Sequence, residues 1–305
     1  MIIYWQNLLA LAVICIFFAA CGSSEQRTGT PSTFDLQGHR GARGLMPENT
    51  LAAFRKALEL GVNTLELDLA VTADSQIVVS HEPWFSSLFC LDTAGNAILK
   101  ESEKEFNIYQ MTWEQVKQFD CGSAGNPRFP GQQKIKAGKP LLRQVFALAE
   151  TWVAENNQPP VNFNIELKSM PEGDGLFHPG PAAFSQLVYD LLQQQQIPAE
   201  RITIQSFDFR VLRHWRRQFP QYSLAALVED GDKVTENIGE LGFTPAIYSP
   251  YYKTTSSGAV EKAQEMGMRV IPWTVNEPED MAQMLQMGVD GLITDYPDRA
   301  LQYRQ

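Results

Sequence analysis

Four times along this chain a helix-like segment runs into a glycine and then directly into a short apolar run: "ELGVNTLELDL", "ELGFTPAIYS", "EMGMRVIPWTV" and "QMGVDGLITD". Gly61, Gly242, Gly267 and Gly288 stand where a helix needs a left-handed cap before the next strand. Apolar runs near 34–38, 64–70, 161–167, 202–206, 223–228, 246–249, 269–274 and 291–294 supply eight candidate strands. Eight strands mostly separated by helical segments predict an α/β fold, a parallel (β/α)₈ TIM barrel with its reactive side chains at the carboxyl ends of the strands. An open doubly wound sheet is the competing arrangement, but no G-x-G-x-x-G follows the first strand, so its dinucleotide-binding form has no support. "PENTLAAFRKALELG" reads as the first helix, capped by Asn49 or Thr50, with Leu51, Phe54 and Leu58 on one face and Gly61 at its end.

A single barrel needs about 250 residues, and this chain has 305. Part of the surplus lies at the start. Leu8 to Ala20 is uninterrupted apolar sequence, shorter than the ~20 residues that span a bilayer, and reads as the core of a signal peptide covering residues 1–20. "FAACGSS" follows and is similar to the lipobox of bacterial lipoproteins, which makes Cys21 the expected lipidation site, although Met1 to Asn7 lacks the usual Lys or Arg. Residues 21–33 then read as a flexible tether, and 34–305 as the barrel. The expectation is an exported protein of the cell envelope, held to a membrane by an N-terminal lipid anchor on the periplasmic side or at an outer membrane. The formal charge of -10 excludes electrostatic attraction to nucleic acid. Cys90 and Cys121 remain as an even pair in a compartment that permits disulfides; they are read as a possible disulfide or as two buried thiols, and their spacing matches no zinc motif.

Two features break the αβ alternation. "TLELDLAVTADSQIVVSHEPW" holds two strand-like segments with only "ADSQ" between them, too short for a crossover helix, so it must be a β-hairpin. With Asp74 and Ser75 as its tip, His81 pairs opposite Asp68. The segment from about 82 to 138 holds no barrel strand and is longer than an ordinary connection, which predicts a small inserted subdomain over the barrel mouth. Within it, Thr112 and Gln115 have capping-box spacing.

Glu66 and Asp68 are two residues apart on a strand, so their carboxylates share a face with Cα atoms about 6.5 to 7 Å apart. In "VNFNIELKS", Glu166 and Lys168 repeat that arrangement. A Glu/Lys pair on a strand is commonly solvated, but both faces of a barrel strand are covered, so these polar residues point into the interior or its mouth. Three acids there repel one another unless a cation sits among them, and oxygen-only ligands suit one hard divalent ion, Ca²⁺ or Mg²⁺.

"GHRGARGLMPENT", "LELDLAVTADSQIVVSHE" and "NIELK", in that order, followed by "QSFD", "WTVN" and "GLITDYP", resemble the glycerophosphodiester phosphodiesterase family from about Asp35 to Pro297. The resemblance implies a barrel with a subdomain inserted after the hairpin, and hydrolysis of small-molecule glycerophosphodiesters to glycerol 3-phosphate and an alcohol. It implies further that His39 and His81 are the acid/base pair, that Glu66, Asp68 and Glu166 bind the metal, and that Arg40 and Lys168 hold the phosphate. Elementary chemistry agrees, since imidazoles titrate near neutrality and cations offset phosphoryl charge. The sequence departs from the family at Glu82, where Asp is usual after the second histidine, and at "TADS", where the family has a "T-x-D-G" turn. Glu82 is expected to orient His81 through its longer arm. Gln205, Phe207 and Trp273 sit at strand ends and are candidate substrate contacts, the aromatics as an apolar wall. His178 is expected to be solvated, His214 to lie on a surface helix, and the loop from Met170 to Pro181 to form part of a lid. Two other readings are a phosphodiesterase for lysophospholipid or sphingolipid, which an apolar channel along the insertion would favour, and a lipoprotein that binds phosphodiesters without cleaving them.

Overall fold

A computed structural model of the protein describes residues 34–303. The signal segment, the lipidation site Cys21 and the tether lie outside the described residues. The strands are β1 (Asp35–Gly38), β2 (Thr64–Val71), β3 (Ile77–Val79), β4 (Asn162–Leu167), β5 (Ile202–Ser206), β6 (Ser223–Val228), β7 (Ile247–Pro250), β8 (Arg269–Val270) and β9 (Gly291–Thr294). All but β3 pair in parallel, in the order β8-β7-β6-β5-β4-β2-β1-β9. Backbone bonds from Asp290 N–H to the Val270 carbonyl (2.9 Å) and from Ile293 N–H to the Pro272 carbonyl (3.0 Å) bring the two ends of that order together. The eight parallel strands therefore form a nearly closed (β/α)₈ barrel. β8 is shorter than the sequence predicts because Pro272 has no N–H to give to a ladder.

Helices α1 (Leu51–Glu59), α2 (Trp113–Val116), α3 (Leu142–Asn156), α4 (Pro181–Gln195), α5 (Phe209–Gln218), α6 (Val234–Leu241), α7 (Ser257–Glu265), α8 (Pro278–Gln286) and α9 (Pro297–Ala300) complete the chain. Thr50, not Asn49, caps α1: its hydroxyl accepts from Ala53 N–H at 3.2 Å. Leu51 is exposed, and the face that α1 buries is Ala53, Phe54, Ala57 and Leu58. Such faces and the outer faces of the strands make one continuous apolar layer. At about 2 kcal/mol for each fully buried Leu or Phe, that layer is the main source of stability.

Inside the barrel the filling is uneven. Ala225, Ile247, Ile271 and Ile293 form an apolar plug on one side. On the other, Asn164 donates to Gln37 (2.8 Å) and Gln205 (3.0 Å), all buried. This layer pairs the Asn164 amide N–H groups and the Gln37 and Gln205 oxygens, which would be costly to bury alone, and on β4 it lies one side-chain repeat below Glu166.

The hairpin differs in register from the sequence expectation. Leu69 pairs with Val79, Ala70 with Val78 and Val71 with Ile77, so Asp68 faces Ser80 and not His81. The cause is a three-residue tip in which Ser75 takes the left-handed conformation (φ 58°), adding one residue to the turn that "ADSQ" suggests. His81 reaches the mouth from just beyond the end of β3. The inserted segment carries its own apolar core, including Phe85, Phe89, Ile108, Val116 and Phe119. A Cys90–Cys121 disulfide crosses it, and Gln115 accepts from Thr112 N–H at the start of α2 (2.8 Å).

Candidate active site

At the carboxyl end of β1 the chain turns sharply through His39, Arg40 and Gly41. Gly41 has φ +86°, and a Cβ there would fall 2.5 Å from the Ala53 carbonyl carbon. Gly44 approaches Tyr296 so closely that a Cβ would lie 2.3 Å from its ring. Arg40 itself is held at φ 51°, an uncommon conformation for a residue with a side chain. The turn aims Arg40 N–H at Glu66 Oε2 (2.9 Å).

Glu66, Asp68 and Glu166 come together as the alternation on β2 and β4 requires. Their carboxylate oxygens lie within 4.8 Å of one another, and all three residues are buried. Burial and Asp68 raise Glu66 well above the ordinary carboxylate range. Burial, with Asp68, pushes Glu166 up to about 7 against the pull of Lys168. Burial opposes ionisation of Asp68 as well, but Arg40 (Nε to Oδ2, 3.2 Å), His81 and Lys168 hold it far below its usual value. Two acids that resist ionisation beside one that remains charged are what crowding without a counter-ion produces. A hard dication among three oxygen donors relieves that crowding, so the donor set fits Ca²⁺ or Mg²⁺. Gln205 donates to Glu66 Oε1 (2.6 Å) and Asn49 to Asp68 Oδ2 (2.8 Å), fixing the orientation of both carboxylates.

The two histidines flank this cluster but sit in different surroundings. His39 is 8% exposed; its Nδ1 meets Asp295 Oδ1 at 2.7 Å and its Nε2 accepts from Arg40 Nε at 3.3 Å. Burial, with Arg43 and Arg40, lowers its pKa to about 4, against the pull of Asp295. The ring is therefore neutral at pH 7, with its Nδ1 proton on Asp295 and its Nε2 lone pair toward the site. His81 has a side chain 29% exposed. Its Nδ1 meets Glu82 Oε1 at 2.9 Å and its Nε2 lies 3.1 Å from Lys168 Nζ. Burial, Arg40 and Lys168 also lower its pKa, opposed by Asp68 and Glu82. The longer Glu82 thus makes the contact expected of it.

Lys168 bonds Glu166 Oε1 at 2.9 Å. Phe207 and Trp273 meet edge to face at 5.3 Å, and both line the central cavity. That cavity, about 260 Å³, is walled by His39, Arg40, Arg43, Lys168, Gln205 and Trp273, among others, with Arg128 of the insertion also on its lining. A second, larger chamber of about 680 Å³ shares His81, Glu166, Lys168 and Phe207 with it. Pro83, Trp84 and Lys104 of the insertion form one wall of this chamber and the loop with Met170 and Phe177 the other. His178, expected to be solvated, is buried: Nε2 accepts from Met170 N–H (3.2 Å) and Nδ1 approaches the Pro179 carbonyl (3.0 Å). It braces the loop from within. The loop is tied further by Asn107 to the Leu176 carbonyl (2.8 Å) and by Arg210 to Asp174 (2.8 Å). His214 lies half-buried on α5 beside Phe219, remote from these cavities.

Several residues of the site escaped the sequence reading. Asp295 binds His39, accepts twice from Arg43 (2.7 and 3.0 Å) and accepts from Asn276 (2.8 Å). Glu48 pairs with Arg40 at 2.7 Å. Buried Lys139 donates to Ser80 Oγ (2.7 Å), and that hydroxyl donates to the Glu82 carbonyl, supporting the His81 segment. Asp295 and Glu48 lay inside quoted motifs, "GLITDYP" and "PENT", so the signal was present without a partner to interpret it.

Comparison with known proteins gives a consistent result. The model of the glycerophosphoryl diester phosphodiesterase family matches residues 39–299. A glycerophosphodiester phosphodiesterase of Caldanaerobacter subterraneus subsp. tengcongensis is 29% identical over 262 residues, 85% of this chain and 93% of that protein. A lysophospholipase D of Mus musculus is 25% identical over 285 residues, covering 86% and 83% of the two chains. Among solved structures, a protein of Silicibacter pomeroyi DSS-3, proposed to be a glycerophosphoryl diester phosphodiesterase, superposes with a TM-score of 0.77 at 31% identity, covering 89% of this chain and 92% of its own. An Oleispira antarctica phosphodiesterase, solved with the product sn-glycerol-3-phosphate, shares the fold with a TM-score of 0.69 at 19% identity, over 89% of this chain and 96% of its own.

Proposed function

The chain belongs to the glycerophosphoryl diester phosphodiesterase family, and on that footing we propose a division of labour by which it hydrolyses glycerophosphodiesters to glycerol 3-phosphate and an alcohol. The observation that carries the reading is that both histidines line the small central cavity while only His81 also lines the larger chamber. His39 faces only the small central cavity, whereas His81 lies where that cavity meets the larger chamber. A diester laid across the junction has its glycerol phosphate in the small cavity, its phosphoryl group beside Arg40 and Lys168, and its alcohol in the chamber.

Each group then has one task. His39 Nε2, neutral and aimed by Asp295, takes the proton of the attacking group as the new P–O bond forms; attack by water gives glycerol 3-phosphate directly, and attack by the glycerol 2-hydroxyl gives a cyclic phosphate that water then opens to it. His81, once its Nε2 has taken a proton from solvent, delivers that proton to the alcohol oxygen as the old P–O bond breaks, with Glu82 fixing its orientation. Arg40 and Lys168 face charge on the phosphoryl oxygens, where electrostatic stabilisation usually contributes most to catalysis. Glu66, Asp68 and Glu166 would hold one divalent cation, which when bound supplies Lewis-acid stabilisation of an oxygen at phosphorus. Gln205 orients Glu66, and Phe207 with Trp273 walls the apolar side of the bound diester.

The test is glycerol 3-phosphate release from a mixture of glycerophosphodiesters, with chelator and then with Ca²⁺ or Mg²⁺ restored. Release that stops with chelator and returns with the ion is the expected result; release indifferent to chelator would remove the metal from the reaction, and binding without turnover would favour a capture protein.

One observation favours a second reading, a single-chain lipid substrate. Met170 and Phe207, 58% and 38% exposed, both line the chamber, and Leu176, 49% exposed, belongs to the loop that walls it; exposed apolar residues at a mouth mark a binding surface. Turnover of lysophosphatidylcholine in place of glycerophosphodiesters would establish it. The lipobox-like "FAACGSS" supports a lipid anchor at Cys21 and a place at the cell envelope; a Cys21→Ser protein that still partitions with membranes would remove that support.

A further inference from the structure

The larger chamber has charges that the phosphodiesterase reaction does not use. Lys104 enters it from the insertion, and its Nζ lies 5.1 Å from the centre of the Trp84 ring and 6.0 Å from that of Phe177. Those two rings meet edge to face at 5.2 Å. Glu172 enters from the loop after β4 and Glu229 from the end of β6, both exposed. Among the described residues, none of Lys104, Glu172 and Glu229 makes an ion pair, unlike Lys100, which reaches Glu103 in the same segment. A cation and two carboxylates, each without an ion-pair partner, thus face one chamber from three different elements.

An aromatic pair at the mouth of a phosphodiesterase would suit a quaternary ammonium, because a cation is attracted to a ring face within about 6 Å. Here the protein's own ammonium already covers both rings. A choline-type alcohol would have to displace Lys104 or approach it against like charge. An alcohol bearing a carboxylate and a primary ammonium meets no such conflict, since its carboxylate pairs with Lys104 and its ammonium turns toward Glu172 and Glu229.

We propose that this chamber is the leaving-alcohol subsite and that Lys104, seated on Trp84 and Phe177, selects zwitterionic amino-alcohols of the serine type over quaternary ammonium alcohols. The inference rests on the orientation given above, with the alcohol beside His81. Its chemistry is confined to recognition, because Lys104 touches no reacting atom.

The experiment compares kcat/KM for glycerophosphoserine, glycerophosphoethanolamine and glycerophosphocholine in the metal-loaded enzyme and in its Lys104→Met variant. Lys104 is exposed, so the variant is expected to fold, and its melting temperature checks this. Wild type should prefer the serine ester to the choline ester. In Lys104→Met the serine-to-ethanolamine ratio should fall roughly fivefold, as expected for a partly screened ion pair, while the choline ester gains. A wild-type preference for choline, a ratio unmoved by Lys104→Met, or stronger turnover of lysophosphatidylcholine than of any of the three would overturn the inference and leave the phosphodiesterase reading intact. Failure to cleave any diester with metal present would sink both together.

Discussion

The two sides of the barrel mouth are built on opposite plans. On the β1 side the groups are tightly held: glycines bring the backbone within contact of α1 and Tyr296, and buried His39, Arg40, Glu48 and Asp295 form one charge network with half-buried Arg43. On the hairpin side His81 is held by its neighbour Glu82 and by Lys168, and looks into a chamber made largely by the insertion. Constraint is concentrated on the side proposed to hold the invariant part of the substrate. Under the proposed division of labour, the His39 side meets the glycerol phosphate common to every substrate and benefits from rigidity, whereas the His81 side meets alcohols that differ and sits beside space made largely by the insertion.

Mutation can separate the two sides. His39→Ala should lower kcat by about 10²- to 10⁴-fold on all diesters, measured beside an unchanged circular dichroism spectrum; a near-wild-type rate would end its role. Asp295→Asn puts an NH₂ donor in place of one of two oxygens that accept from Arg43, Asn276 and His39, which removes the charge and unsettles the His39 tautomer, and should cost about 10²-fold in kcat. Glu82→Gln keeps a polar partner for a more accessible ring, so its loss should be nearer tenfold. If Glu82→Gln cost as much as Asp295→Asn, the two sides would be equally constrained and the contrast would fail. A smaller effect, on stability alone, belongs to Cys90→Ser with Cys121→Ser. Opening the loop between them should lower stability by about 2–4 kcal/mol, read by denaturant melts, with faster proteolysis inside the insertion than in the barrel.

Most of the barrel was legible because its signals are local. A glycine cap and an apolar run within ten residues specify a helix end and a strand, and the alternation of Glu66 with Asp68 and of Glu166 with Lys168 places side chains on one face. What failed depended on geometry that spacing does not carry. The left-handed Ser75 shifted the hairpin by one residue, and Pro272 shortened β8. Asp295 lies 256 residues from His39, and only the parallel pairing of β1 with β9 brings them together. His178 was misjudged because the groups within hydrogen-bond distance of its ring are backbone groups of its own loop, which leave no pattern in the side chains.

If His39 acts on the attacking hydroxyl and His81 on the departing alcohol, the two must respond differently to a leaving group that needs no proton. The p-nitrophenyl diester of glycerol phosphate supplies one, because its leaving group departs as a stable anion. His81→Ala should recover to within about tenfold of wild type on this substrate, while His39→Ala remains about 10²-fold or more below it. Rescue of His39→Ala with His81→Ala still inactive would reverse the assignment, and equal rescue of both would contradict the division itself.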